Sequence, residues 1–107
     1  MDNKELLRVA LEALKASKNA YSVYVLVNHT KKAIYFGVAR DPQTRLIQHG
    51  DNQVQATKYW AFEKDEIVHK VLETGLSQEK ASETAHAYEK MTFDGFEEYK
   101  VIQTSGI

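Results

Sequence analysis

Two tyrosines, Tyr24 and Tyr35, stand eleven residues apart on either side of a polar segment, each inside a run dense in Val, Ile, Tyr and Phe. A hairpin register centred between His29 and Thr30 would put the two phenols directly opposite each other. Opposed tyrosines are by themselves ordinary cross-strand packing, worth under ~1 kcal/mol. Gly37 sharpens the reading, because a glycine inside a strand weakens it and often marks close approach of a ligand or another backbone. Next come Arg45 and His49, at i and i+4 and so on one face of a short helix. A guanidinium beside an imidazole suits a phosphate clamp, since the planar fork meets two oxygens at once. Further on, Glu79, Glu83, His86 and Glu89 share one long helix. Hard carboxylate oxygens suit Mg²⁺, which commonly takes one or two of them and leaves its remaining positions to water and substrate phosphate.

Other chemistries lack their residues. There is no HExxH or paired-histidine pattern, no glycine-rich dinucleotide loop, no Walker loop and no GxSxG elbow. Without a single cysteine, disulfides, thiolate zinc sites and a cysteine nucleophile are all excluded. Tyr59 and Trp60 read as core rather than as a platform for stacked bases.

These side chains need elements to hold them. Residues 3–18 read as an amphipathic helix, with Leu7, Leu11 and Leu14 at three- and four-residue spacing and Arg8, Glu12 and Lys15 on the wet face. Tyr21–Val27 and Ala33–Ala39 are strands around the polar Asn28–Lys32 segment. Both carry apolar residues on both faces, which calls for cover on each side of the sheet. Asp41 caps a helix with Pro42 at its first position, running through His49. The pattern then predicts a strand over Thr57–Phe62 and a helix opened by Asp65, with Ile67, Val68, Val71 and Leu72 as its core and Gly75 as its stop. Ser77 caps a helix over about 78–92, Asp94-Gly95 turns the chain, and Glu98–Thr104 closes it as a short strand. The expected class is a mixed α/β (α+β) domain: a mainly antiparallel sheet of three or four strands flanked by helices, preceded by an extra N-terminal helix. The division is residues 1–19 as that extension and 20–107 as the domain.

Taken in order, Ser22-Val23-Tyr24, Tyr35-Phe36-Gly37 and Arg45-Leu46-Ile47-Gln48-His49 resemble the motifs of the GIY-YIG nuclease family. In that family a tripeptide ending in Tyr and a Tyr-x-Gly tripeptide lie about eleven residues apart on a hairpin. An Arg follows about ten residues later on a helix, often as RLxxH. The first tripeptide departs from the family form, reading SVY. The resemblance covers most of residues 20–104 and implies a compact domain that hydrolyses nucleic-acid phosphodiesters with one divalent metal, Mg²⁺ or Mn²⁺. It implies that Tyr24 and Tyr35 sit near the attacking water, that Arg45 holds the scissile phosphate, and that His49 binds phosphate or assists proton transfer. A helical glutamate in an AxxxE context would ligate the metal. The frame Ala81-x-x-x-Ala85 puts an alanine where the carboxylate is needed, while the frame one turn later, Ala85-His86-Ala87-Tyr88-Glu89, offers Glu89. The family's asparagine near the last strand has Gln103 as its counterpart. The alternative implied by these departures is a relative that has lost catalysis and uses the same surface to bind nucleic acid or protein.

Composition bounds the rest. The chain has 107 residues, 43% hydrophobic, with 14 Lys and Arg against 15 Asp and Glu and a net charge of −1. That length suits one core, and a near-neutral balance means that nucleic acid must be met by a local patch. No apolar run reaches the ~18 residues of a membrane span, and MDNKELLRVA is unlike a signal peptide. The expectation is a cytoplasmic domain with no membrane partner. It would act on nucleic acid, DNA in the first instance, with target choice coming from branched or damaged structure, a homodimer or a protein partner.

Overall fold

A computed structural model describes residues 2–103. Its elements are α1 (Asn3–Lys18), β1 (Tyr21–Asn28), β2 (Ala33–Ala39), α2 (Pro42–Gly50), a single 3-10 turn at Gln55–Thr57, β3 (Ile67–Leu76), α3 (Gln78–Glu89) and β4 (Lys100–Val101). The four strands form one mixed sheet in the order β3-β1-β2-β4. β1 is antiparallel to both of its neighbours, and β4 runs parallel to β2. Mixed α+β architecture with a leading helix is therefore what the sequence builds. The side chains of Leu14 and Lys15, and the end of the expected last strand at Thr104, lie outside the described residues. No described helix is long and apolar enough to cross a membrane.

Each face of the sheet has its own core, as the two-sided apolar strands require. On one face Val23, Ile34 and Phe36 pack under Ala81 and Ala85 of α3, with Phe36 stacked on Tyr88 at 5.4 Å between ring centroids. On the other face Tyr24, Leu26, Tyr35 and Trp60 cluster, with Leu46 of α2 and Ala56 closing over them. The helices start where their caps say. Asp41 accepts from the backbone N–H groups of Gln43 and Thr44 at 3.2 and 3.3 Å, and Ser77 accepts from that of Lys80 at 3.1 Å.

Two elements differ from the sequence expectation. Residues 67–76, expected as a helix, form the longest strand of the sheet. Its pairing with β1 shifts register between Val23 and Tyr24 and again between Tyr21 and Val23. Such bulges break the two-residue alternation. Ahead of them the alternation is regular, with Ile67 and Val71 on the Tyr24 face and Val68 and Leu72 on the Phe36 face, and these apolar pairs around His69 and Lys70 recur at four residues, a spacing that imitates a helix. Asp65 is not a cap: its carboxylate instead accepts from Asn28 Nδ2 at 2.9 Å and from the Ala61 N–H at 3.1 Å. Conversely, Thr57–Phe62 is no strand but a series of turns, with the Trp60 N–H bonded to the Thr57 carbonyl at 3.0 Å. The edge of β1 that such a strand would have used is occupied by β3. The remaining changes are trims, with α3 ending at Glu89 and β4 reduced to two residues.

The hairpin register also moves. Tyr24 lies opposite Gly37, and Tyr35 opposite Leu26. The loop holds four residues, with the Asn28 side chain accepting the Lys31 N–H at 2.9 Å and Lys32 in the left-handed region at φ 52°. The two tyrosines are thus diagonal neighbours on one face rather than an opposed pair.

Candidate active site

Diagonal placement gives Tyr24 the room it occupies. Its ring lies directly over Gly37, where an added Cβ would fall inside the phenol. The absence of a side chain at Gly37 is therefore what seats Tyr24 flat on β2. Tyr35 meets it edge to face with centroids 6.1 Å apart, a favoured aromatic geometry. Both phenols are buried.

Helix α2 delivers the next two groups from the same side. His49 is fully buried, and its Nε2 stands 2.7 Å from the Tyr24 hydroxyl. Its other nitrogen, Nδ1, is 2.6 Å from Oγ1 of Thr57, which is also fully buried. Burial, then the nearby Arg45 and His69, lower the His49 pKa to about 4. The ring is therefore neutral at pH 7 and has one donor and one acceptor nitrogen. With Nδ1–H donating to Thr57, Nε2 is left to accept the Tyr24 proton. Burial pushes the Tyr24 phenol far above its ordinary value; a charge on Tyr35 would raise it further, and the Arg45 guanidinium pulls the other way. Burial raises Tyr35 as well, opposed by Tyr24 and Arg45. In the resting site both phenols keep their protons.

Arg45 is half-buried one turn before His49, as the i, i+4 spacing requires. Its Nη1 donates to Gln48 Oε1 at 3.0 Å, while its Nε is buried without a hydrogen-bond partner. A buried guanidinium N–H left unmatched is costly, and an anion brought beside Tyr24 would restore its partner. The adjoining strand adds a residue that the sequence pattern hid. His69 tilts against the Tyr24 ring at 5.7 Å, and its Nε2 too is buried without a partner. Neither Thr57 nor His69 carried a signal in the sequence, because the segments holding them were assigned to the wrong elements.

Glu89 approaches from α3, which covers the opposite face of the sheet. β4 pairs only with Ala33 and Ile34, so the edge of β2 beyond them is open. There the Glu89 carboxylate is near enough to Tyr35 to disfavour its ionised form. It is buried, with Oε2 3.3 Å from His86 Nδ1. Gln103 goes elsewhere: it is exposed, its amide reaches the Val101 carbonyl at 3.5 Å, and it lines a groove beside β4. Tyr24, Tyr35, Arg45 and His49 thus meet at one place, with Glu89 in electrostatic reach and Gln103 apart from them.

Compared with known proteins, residues 20–104 match the family model described as the GIY-YIG catalytic domain. The chain belongs to the GIY-YIG family. No curated protein and no solved structure matches it. GIY-YIG domains make up a nuclease family whose members act on nucleic acid and generally use divalent metals. Among the described residues, no cluster of three or more His, Cys, Asp or Glu could cage a metal by itself. A single buried carboxylate in electrostatic reach of Tyr35 still fits Mg²⁺ or Mn²⁺, because such ions keep several waters and take substrate phosphate oxygens as ligands.

Proposed function

We propose that this GIY-YIG chain is a divalent-metal-dependent endonuclease that hydrolyses phosphodiester bonds in nucleic acid, DNA first of all. One observation carries the reading. The Tyr24 hydroxyl is hydrogen-bonded at 2.7 Å to a neutral, fully buried imidazole, within reach of an arginine whose Nε lacks a partner.

The chemistry follows from those atoms. A water held at the Tyr24 oxygen gives up a proton to it as it attacks phosphorus, while the phenolic proton moves to His49 Nε2. Tyr24 is then neutral at the start and end of the step, which its raised pKa requires. The His49 Nδ1–H stays on Thr57 throughout and fixes the tautomer that makes Nε2 the acceptor. Arg45 offers its Nε to a non-bridging oxygen and stabilises the charge that develops there. Tyr35, beside Tyr24, restricts where the water can sit. The P–O bond to the leaving oxygen breaks, that oxygen takes up a proton from solvent water, and the proton held on His49 Nε2 returns through Tyr24 to the hydroxide so formed, which its lowered pKa favours and which resets the site. Glu89 would hold the metal, which when bound polarises the phosphoryl group as a Lewis acid.

The test is nicking of supercoiled plasmid with Mg²⁺ or Mn²⁺. Arg45→Ala and Glu89→Ala each abolish it with an unchanged circular-dichroism spectrum; losing a charge-stabilising donor of this kind costs roughly 10²–10³ in rate. If varied DNA substrates stay uncut and both variants behave like the parent, the reading is wrong. The second reading, a binding module without catalysis, is favoured by the His86–Glu89 contact at 3.3 Å, which occupies the carboxylate internally.

A further inference from the structure

On the same sheet face as the phenols, a groove of about 530 Å³ runs between the β1–β2 loop and β4. Its walls carry Lys31 and Lys100, its floor is built by Ala33, Ala56 and Ile102 with only an edge of the largely buried Trp60, and Gln103 stands at its rim. The floor is continuous with the Tyr24–Tyr35 cluster, to which Ala33, Trp60 and Ile102 also belong. Ala33 is two residues from Tyr35 along β2, about 7 Å between their backbone positions and on the same face of the sheet. The two lysines are tied together by the backbone: Ala33 pairs with Lys100, and the Lys100 N–H donates to the Lys32 carbonyl at 2.9 Å.

We propose that this groove binds an unpaired nucleic-acid strand leading into the site, with its phosphates on Lys31 and Lys100 and its bases on the apolar floor. The proposal rests on the nuclease reading and adds the form of the substrate. Charge argues for a polyanion. No carboxylate lines the groove, Lys32 and Glu98 cancel each other at 2.6 Å, Lys31 is held only loosely by Asp65 at 3.7 Å, and Lys100 makes no ion pair among the described residues, so Lys100 carries most of the local positive field; the chain's net charge of −1 gives no general attraction. The floor argues for an unpaired strand. A duplex turns its phosphates outward and its bases inward, so an apolar floor gains nothing from it. A single strand can lay base surfaces there while the lysines track its backbone. The Gln103 amide offers both a donor and acceptor to a base edge.

The test is fluorescence anisotropy of the whole chain with a short labelled oligodeoxynucleotide of mixed sequence, single-stranded or annealed, in EDTA across a NaCl series. For a single strand the slope of log Kobs against log salt is about −0.7 per phosphate contact, so Lys31→Ala and Lys100→Ala should each shrink it by about 0.7. Lys80→Ala, on the far-face helix α3, should leave it unchanged, and the single strand should bind more tightly than its duplex. Lys31→Ala breaks a 3.7 Å ion pair with Asp65, but Asp65 keeps its bonds to Asn28 and Ala61; should that variant fail to fold, Lys100→Ala decides alone. An unchanged slope for Lys100→Ala, an equal loss for Lys80→Ala, or tighter duplex binding overturns the proposal. Metal is absent from this assay, so its outcome is separate from nicking. Slopes that fall without any cleavage sink the nuclease reading and keep the groove; cleavage with unchanged slopes does the reverse.

Discussion

Thr57→Val isolates the least obvious part of the proposed relay. Thr57 Oγ1 and His49 Nδ1 are 2.6 Å apart, and both residues are fully buried, so no water replaces the lost hydroxyl. Valine keeps the shape and removes only the partner. An orphaned buried donor costs about 1–3 kcal/mol, and for a domain of this size each kcal/mol is worth roughly 4–8 °C in Tm. The melting temperature should therefore fall by somewhere between about 4 and 24 °C, read by circular dichroism at pH 7. Nicking measured well below the new Tm should fall by about tenfold or more, the effect expected when a base loses the group that orients it. The loss should sit in kcat, since Thr57 lies behind His49 and away from substrate. Thr57→Ser, which restores an acceptor, should recover most of both quantities. If valine leaves Tm and kcat unchanged, or serine does as badly as valine, the 2.6 Å contact does not orient His49 and the relay argument fails.

Three further outcomes follow from the same geometry. Gly37→Ala puts a methyl group inside the Tyr24 ring; overpacking of this kind costs about 1–3 kcal/mol, visible as a lower urea midpoint and loss of nicking together. Stability should also depend on pH through His49. Its folded pKa is lowered from 6.5 to about 4, so its contribution is complete above pH 6.5 and is lost as pH falls toward 4. The loss totals about 3 kcal/mol, and urea titrations of His49→Gln between those limits should be correspondingly flatter. Finally, His69→Ala, which removes an imbalanced buried nitrogen beside Tyr24, should shift the acid limb of the nicking pH profile upward. His69 is one of the groups holding the His49 pKa down, and an unmoved limb would mean that the two rings do not communicate.

Much of the site was legible because its residues lie in motifs whose spacing survives folding errors elsewhere. Tyr24, Tyr35 and Gly37 are local to one hairpin, and Arg45 and His49 are one helical turn apart; neither placement depends on the rest of the topology. Even there the register slipped by two, because the turn was set by the Asn28 side chain and a left-handed Lys32, neither of which an apolar pattern reports. His69 and Thr57 were illegible for a stronger reason. The apolar pairs Ile67-Val68 and Val71-Leu72 of a strand covered on both faces recur at four residues, as on a helix, and the turn after Gln55–Thr57 is held by the Thr57–His49 contact and by Asn52 Nδ2 donating to the Lys58 and Trp60 carbonyls rather than by propensity. Glu89 was reachable only by choosing one helical frame over another. Its burial comes from α3 packing on the Phe36 face, with Ala85 and Ala81 one and two turns ahead of it.

The sheet acts as a partition between two kinds of machinery. On the proposed reading, proton handling belongs to the phenols, His49 and Thr57 on one side, while the carboxylate that would hold the metal sits on a helix bolted to the other. On that reading, changes that shorten or reseat that helix would silence hydrolysis without touching Arg45 and the phenols. A descendant of this chain could become a reader of nucleic acid by losing a single turn, and an engineer could restore cutting by returning it.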